Sequence, residues 1–493
     1  MKRVSLFAII FILMVVIIIA VVSRKNGKTT MRGEKTTTTT VITETMLAES
    51  RTLPKVLDMP EQIAGGRPVI ITTVGIPPDS QPAILTTWKE QAARFQQLYP
   101  NVTIRGSDYA YSPDSFAALV AGNQVPTLFQ VYLTDPGRMI DQGICADLSS
   151  IFTAQKLDKV YNPRLLSMLS KNGKVYGIPM KVYTIGLAYN IKLLKDAGFD
   201  APPKTWDELV TIARKATNRD AGIAGFSFIT DGANAGGWHM TVIAYDFGLK
   251  DTDIVVRQPD GKYKAGFNNA AMLSAMNFVK DLRWKHDVLP RENLGWETNG
   301  QAFVTGRVAM AIMAGDQFIG IRQNYPDADM SNLGFVQLPV GPDGISYTLG
   351  GGDIAMVSSS ATPDQVEAAA YYRLWTYFDP NETVIYFEIG KQDPTTVVGA
   401  PLYPRYVGPY QAAGSALERK YANLPVENYK LYMDGIVSCK VVMMSEPVIA
   451  GQEYYLAVGQ AVGKIVAGES VDPAAVLTKA AETYQANVLD LMK

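Results

Sequence analysis

Hydrophobic positions along the chain fall into short β-branched runs and into stripes of helical spacing, and the two alternate. "RPVIITTVGI", residues 67–76, reads as a buried strand ended by Gly75 and the Pro77-Pro78 pair. In "ILTTWKEQAARFQQLYP" the residues Leu85, Trp88, Ala92, Phe95 and Tyr99 share one helical face, and Pro100 stops the helix. "NVTIR" follows as a second strand, and "SFAALVAGNQVPTLFQVYL" adds a helix, a turn and a third strand near 127–133. Strand, helix, strand, helix, strand at these spacings predicts a parallel sheet covered by helices, with ligands received at loops beyond the strands' carboxyl ends.

A second series starts near residue 200. "PPKTWDELVTIARKA" is a helix with a capping box, in which Thr205 accepts from the Glu208 amide and the Glu208 carboxylate reaches back. "GFSFIT" reads as a strand, "FNNAAMLSAMNFVKDLRWKH" as a long helix, and "GRVAMAIMAG" as a buried strand; a strand near 333–338 and "DIAMVSSS" come next. "TPDQVEAAAYYRLWTYF" repeats the capping pattern with Thr362, Pro363 and Gln365, and the C-terminal "DPAAVLTKAAETYQANVLDLM" is amphipathic and expected on the second lobe. Between the two series lies "NGKVYGIPMKVYTIGLAYN", 172–190, a strand-like stretch interrupted by Gly177 and Pro179.

The amino terminus departs from this pattern. Residues 4–22, "VSLFAIIFILMVVIIIAVV", carry no charge and as a helix would reach about 28 Å, the thickness of a bilayer core. Residues 1–23 are therefore read as a membrane anchor or signal segment, with an uncleaved anchor favoured over a removed signal. Residues 24–66, with "TTTTT" at 36–40, are expected to form a Thr-rich flexible linker.

Composition then narrows the chemistry. Lys plus Arg number 46 and Asp plus Glu 47, so the basic footprint of a nucleic-acid binder is missing. Only His239, His286, Cys145 and Cys439 supply imidazole or thiol, which leaves little for zinc sites or Cys/His catalysis. The cysteines are read as buried small hydrophobes, with a disulfide between them open in an oxidising compartment. No metal or cofactor is expected.

Four stretches in order resemble the extracellular solute-binding proteins of ABC transporters, in the sugar-binding group that includes maltose-binding protein. "NGKVYGIPMKVYTIGLAYN" is similar to that family's Gly-Lys-x-Tyr-x-x-Pro…Tyr-Asn segment. "IKLLKDAGFDAPPKTWDELVTIARKA" resembles the Leu…Ala-Gly…Pro-x-Thr-Trp-Asp-Glu-Leu block that follows it. "QAFVTGRVAMAIMAG" matches Phe-x-x-Gly-x-x-Ala-Met, and "LGGGDIAMVSSSATPDQVEAAAYYRLWTY" matches the Gly-Gly…Ile…Ser segment before an Ala-rich helix. The resemblance implies an α/β, two-lobe periplasmic-binding-protein-like fold (type II) with a multi-crossing hinge. Lobe 1 would take 68–180 plus 347–382, and lobe 2 would take 183–346 plus 383–493. Pro179 would mark a crossing. It further implies a non-enzyme, expected as a monomer, that captures a sugar or oligosaccharide between the lobes and passes it to ABC permease subunits.

The same placement supplies candidate ligand residues. Tyr132, Thr134 and Asp135 lie just beyond a strand, although Asp135 could serve only as a helix cap. Tyr183 falls where the family has a hinge-adjacent polar contact, often an acid, and could instead be a core tyrosine. Trp238 follows a Gly-rich loop, at a place similar to the family's aromatic platforms. Asp316 and Gln317 stand where a tryptophan is common. Gly351 and Gly352 can bring backbone amides close to a ligand, and Asp353 could bond a hydroxyl or simply end a turn. Tyr406, beside Arg405, completes the set. Rival expectations are a same-fold binder of a glycerophosphodiester, peptide or polyamine, and a membrane-tethered glycan hydrolase with paired carboxyls.

Overall fold

The computed structural model describes residues 43–492 except 78, 80, 81, 108, 394, 439 and 445. Among these, nine strands share one sheet: β1 (Val69–Thr73), β2 (Val102–Gly106), β3 (Leu128–Tyr132), β4 (Gly177–Asn190), β5 (Ala224–Ser227), β6 (Val308–Ala314), β7 (Leu333–Val336), β8 (Ser346–Val357) and β9 (Val441–Met444). Their order is β2-β1-β3-β8-β4-β6-β5, with β7 paired to β4 and β9 to β8. β1 runs parallel to β2 and β3, as the alternation of strands and helices requires. The helix Pro82–Leu98 covers this half: Phe95 is fully buried, with ring centroids 5.1 Å from Tyr372 and 5.3 Å from Trp375 of the helix Pro363–Phe378.

From Gly177 on, the interrupted stretch is one continuous strand of 14 residues, and at roughly 3.3 Å per residue it is long enough to serve both halves of the molecule. Gly177 to Thr184 of β4 pair with β8; Ile185 to Asn190 pair with β6 and β7. The change of partner falls at Thr184 and Ile185, five residues beyond Pro179. Pro179 itself lies opposite Ile354, while Lys181 lies opposite Asp353, so Met180 is an extra residue in a bulge. A donorless residue is tolerated there because the ladder is already irregular. The puncture re-aims the strand; the crossing comes later. β8 crosses as well, pairing with β9 over Ser346 to Leu349 and with β3 over Asp353 to Val357.

The second half is built on Ile185, Leu187, Met310 and Ile312 of the sheet and on the helices Asn234–Asp246, Ala270–Trp284, Gly451–Ala467 and Pro473–Asn487. The first and third of these helices touch backbone to backbone. A Cβ on Gly237 would lie 1.9 Å from the Tyr455 carbonyl, so only glycine permits the approach that sets Trp238 beside Tyr455.

Two boundary expectations differ from the structure. The linker reading of 24–66 does not hold from residue 43 on: Glu44–Ser50 is a helix capped by Thr43, and the chain to Gly66 wraps the first half. Met46 and Leu53 are buried with Val384, Ile385, Leu417 and Tyr421, and Leu57 and Ile63 enter the core beside Tyr99. Composition hid these spaced apolar residues among threonines and charges. Residues 383–421 were expected in lobe 2, yet Pro380–Gln392 and Gly408–Tyr421 pack against that strap and the first half; Tyr410 reaches Phe378 at 5.2 Å. The expected anchor at 1–23 lies outside the described residues, among which no helix is long and apolar enough to cross a membrane. Cys145 is a buried free thiol, and Cys439 lies outside the described residues.

Candidate functional site

Three strands carry one line of side chains across the hinge. Tyr132 on β3 is registered with Asp353 on β8, which is registered with Lys181 on β4. Two residues on, Tyr183 lies opposite Gly351. The strand period of two puts Lys181 and Tyr183 on the same face. A Cβ on Gly351 would stand 2.5 Å from the Tyr183 ring and 3.2 Å from Trp238, so glycine lets the two aromatics meet over the strand. Their rings lie 6.3 Å apart and edge-on, at 88°.

Lys181 joins the halves electrostatically. Its Nζ is 3.1 Å from Asp316 Oδ2, on the turn after β6, and 3.4 Å from Asp353 Oδ2, and it lies 5.5 Å from the Tyr183 ring centroid. Burial alone would lower the Lys181 pKa, but the two carboxylates hold it above its ordinary value. Burial raises the Asp316 carboxyl against the opposing pull of Lys181. Asp316 Oδ1 is buried and has no hydrogen-bond partner. It borders a cavity of about 230 Å³ whose walls include Lys181, Trp296, Glu297, Gly300, Gln301 and Gly320. A buried acceptor left without a donor is costly, and this one belongs to a side chain that lines the cavity.

The loop after β3 forms the opposite edge. Tyr132 is 37% exposed and donates to the Tyr111 carbonyl at 3.2 Å. Asp135 is buried, accepting from Tyr111 Oη at 2.7 Å and from Arg138 Nη2 at 3.1 Å. It stands at the first position before the helix Pro136–Asp141 without capping it. Thr134 is reached from the other half: Gln452 Nε2 donates to Thr134 Oγ1 at 3.2 Å, while Gln452 Oε1 accepts from Asn234 Nδ2 at 2.7 Å.

Trp238 forms the floor, 8% exposed. Its Nε1 donates to Glu446 Oε1 at 2.9 Å, and Tyr455 Oη donates to Glu446 Oε2. Trp296 lies 6.3 Å from Trp238 and leads into the cavity beside Asp316. The structure thus brings Tyr132, Tyr183, Gly351 and Asp353 together on the hinge strands, with Trp238 against Tyr183, Asp316 against Lys181, and Thr134 and Asp135 on the loop after β3; of these, Asp316 lines the cavity. Gly352, registered with Val182, lies on the same hinge strand. Gln317 borders the cavity with its amide already used, accepting from Ala314 N at 2.9 Å and donating to Trp296 O at 3.2 Å. Tyr406 is not with them: it sits in an aromatic cluster of the first half with Tyr161, Phe378 and Tyr410.

Residues 90–390, more than half of the chain, match the family described as bacterial extracellular solute-binding protein. The chain belongs to that family. This solute-binding protein is 30% identical over 141 residues to the melibiose/raffinose/stachyose-binding protein MelE of Bacillus subtilis, a match covering 28% of this chain and 31% of that one. It is 28% identical over 249 residues to a probable ABC transporter-binding protein of Deinococcus radiodurans, covering 49% and 57%. The matched regions thus span 31% and 57% of those relatives. Maltose-bound MalE3 of T. maritima shares the fold with a TM-score of 0.64 at 19% identity, covering 85% of this chain and all of that one. UgpB of Mycobacterium tuberculosis, in complex with glycerophosphocholine, superimposes with a TM-score of 0.65 at 18% identity, covering 85% and 98%. Both curated relatives carry binding-protein names, and the two solved structures share the fold of this solute-binding protein.

Lys181, Trp296 and Glu446 were not anticipated. Lys181 was open to discovery, because it shares the Tyr183 face by strand period. Trp296 and Glu446 stand at a helix start and in a loop, where no periodicity points to a cleft.

Proposed function

We propose that this protein captures a neutral sugar or short oligosaccharide in the cleft between its halves and delivers it to an ABC permease at the outer face of the cell membrane. The single observation that carries this reading is the buried, unpartnered Asp316 Oδ1 on a side chain that lines a cavity with Lys181 and Trp296, which in turn touch the edge-on pair Tyr183 and Trp238. A sugar ring offers what these groups lack: hydroxyl donors at its rim and an apolar face for an indole or phenol. The eleven residues proposed from sequence contribute to this site with the exception of Tyr406. The apolar run at 4–22 would hold the protein at the membrane, and the strap from Thr43 would join it to the first half.

The cleft's cations speak against a phosphodiester solute. Lys181 is engaged by Asp316 and Asp353, and Arg138 by Asp135, so neither is free to neutralise a phosphate. The test is thermal unfolding against maltose, maltotriose, raffinose, glycerophosphocholine and spermidine. A solute at about 100 times its Kd adds roughly 2.7 kcal/mol of stability, which is read as a raised Tm. At least one sugar is expected to raise it, and Asp316→Ala to weaken that sugar's binding about 10- to 100-fold, the range for losing a hydrogen bond to a charged group. A response to glycerophosphocholine or spermidine alone overturns the sugar assignment.

A further inference from the structure

Glu446 is the one acid of the cleft buried to 5% exposure and bonded through both carboxyl oxygens to aromatic donors of the same half. One donor, Trp238, is the floor of the cleft; the other, Tyr455, lies on the helix that meets the Trp238 helix backbone to backbone. Indole orientation is otherwise held by apolar packing and by ring contacts with Tyr183, Trp296 and His239. A hydrogen bond from Nε1 is directional, so it removes the ring's freedom to rotate about its last side-chain torsion. Glu446 stands two residues after β9, whose pairing with β8 ties it to the hinge.

We infer that Glu446 is a positioning residue for solute capture, pinning the Trp238 indole between Tyr455 and Tyr183 so that the cleft floor is already in its binding orientation before a solute arrives. This rests on the sugar-capture reading for its functional consequence, but not for its geometry. The groups facing Glu446 are Tyr455, Tyr454 and Tyr245 of the second half, Tyr183 of the hinge strand and Asp135 across the cleft. None is a cation. Burial accordingly pushes the Glu446 carboxyl up to about 7, against the hydrogen bonds from Tyr455 and Trp238, which favour the ionised form. Ionised, it makes a charge-assisted bond to the indole; protonated, a weaker neutral one.

The experiment follows the Trp238 indole N–H by ¹⁵N NMR in the full chain, assigned with Trp238→Phe, and pairs it with calorimetry using whichever panel sugar binds. In the unmodified protein the Trp238 resonance is expected to titrate with a midpoint near 7, and in Glu446→Gln to lose that titration. Glu446→Gln keeps an acceptor for the indole and is expected to bind the sugar within about 3-fold of the unmodified protein, whereas Glu446→Leu is expected to lose about 10-fold or more. A Trp238 resonance with the same shift in the unmodified protein and in Glu446→Gln at every pH from 5 to 9 overturns the proposal, as does a folded Glu446→Leu with undiminished affinity. If Glu446→Leu does not fold, the titration and the Gln variant decide by themselves. If no panel compound binds, the sugar reading fails while the indole titration still tests the positioning role.

Discussion

At the scale of single residues, Glu446 ties the site to the stability of the molecule. Its carboxyl has an ordinary value of 4.5 and sits near 7 in the folded protein, so between these values the folded chain holds a proton that the unfolded chain has released. Stability from this group is therefore fully present below about pH 4.5 and lost as pH rises through about 7. At about 1.36 kcal/mol per pKa unit the loss is on the order of 3 kcal/mol. His239 works in the opposite direction: burial lowers it from 6.5 to about 3, so the unfolded chain takes up a proton below 6.5 that the folded chain refuses. The two slopes offset each other between about 4.5 and 6.5. Chemical denaturation across pH 4–8 separates them, because the Glu446→Gln protein keeps only the histidine arm. Its stability relative to the unmodified protein is expected to increase by roughly 3 kcal/mol from pH 4.5 to 8, and a flat difference would mean that Glu446 titrates normally.

At the scale of elements, the strap before β1 is held by a few deep contacts. Leu53 is 6% exposed among Val384, Ile385, Leu417 and Tyr421, and Glu49 receives both Lys420 and Tyr421. Leu53→Ala is expected to cost about 2–5 kcal/mol, the range for a buried leucine truncated in a packed site, read as a lower denaturation midpoint with an unchanged slope. A loss under about 0.5 kcal/mol would mean that the strap is loosely seated. This element was illegible in the sequence because its apolar residues are too sparse to show a period, and they acquire meaning only against helices more than 300 residues later. Elsewhere local pattern sufficed. Thr205 and Thr362 cap their helices as their spacing predicts, accepting from Glu208 and Gln365, and the apolar run in "GRVAMAIMAG" is the fully buried β6. Tyr183, Trp238 and Asp316 could be placed near a cleft because strand ends and Gly-rich loops gather there. The partners that fix their roles, Lys181, Glu446 and Trp296, come from packing between segments remote in sequence. Tyr406 shows the converse, since a tyrosine in a Pro-rich loop, read as a ligand contact, instead completes an aromatic core.

At the scale of the whole molecule, two polar links cross from one half to the other at the cleft. Lys181 to Asp316 lies deep, beside the β4 crossing, and Gln452 to Thr134 lies where the loop after β3 meets the start of the helix Gly451–Ala467. The deep link brings together groups that stay close to the pivot, so a rotation of the halves moves them little. The Gln452 link joins segments that β4 and β8 do not hold together directly, and under the proposed capture it is the one that an opening of the halves would break. A solute shifts an opening equilibrium only by contacts it makes better in the closed form, and its apparent Kd is the intrinsic value divided by the fraction of closed molecules. Removing a neutral hydrogen bond from the closed form costs about 0.5–1.5 kcal/mol. The double variant Thr134→Val with Gln452→Ala is therefore expected to weaken solute binding by about 2- to 12-fold, with most of the change in dissociation rate. Solution scattering without solute should show a larger radius of gyration for the variant, and saturating solute should bring the two proteins to the same value. An unchanged affinity together with an unchanged radius would place the barrier to opening entirely in the Lys181–Asp316 pair and the hinge strands.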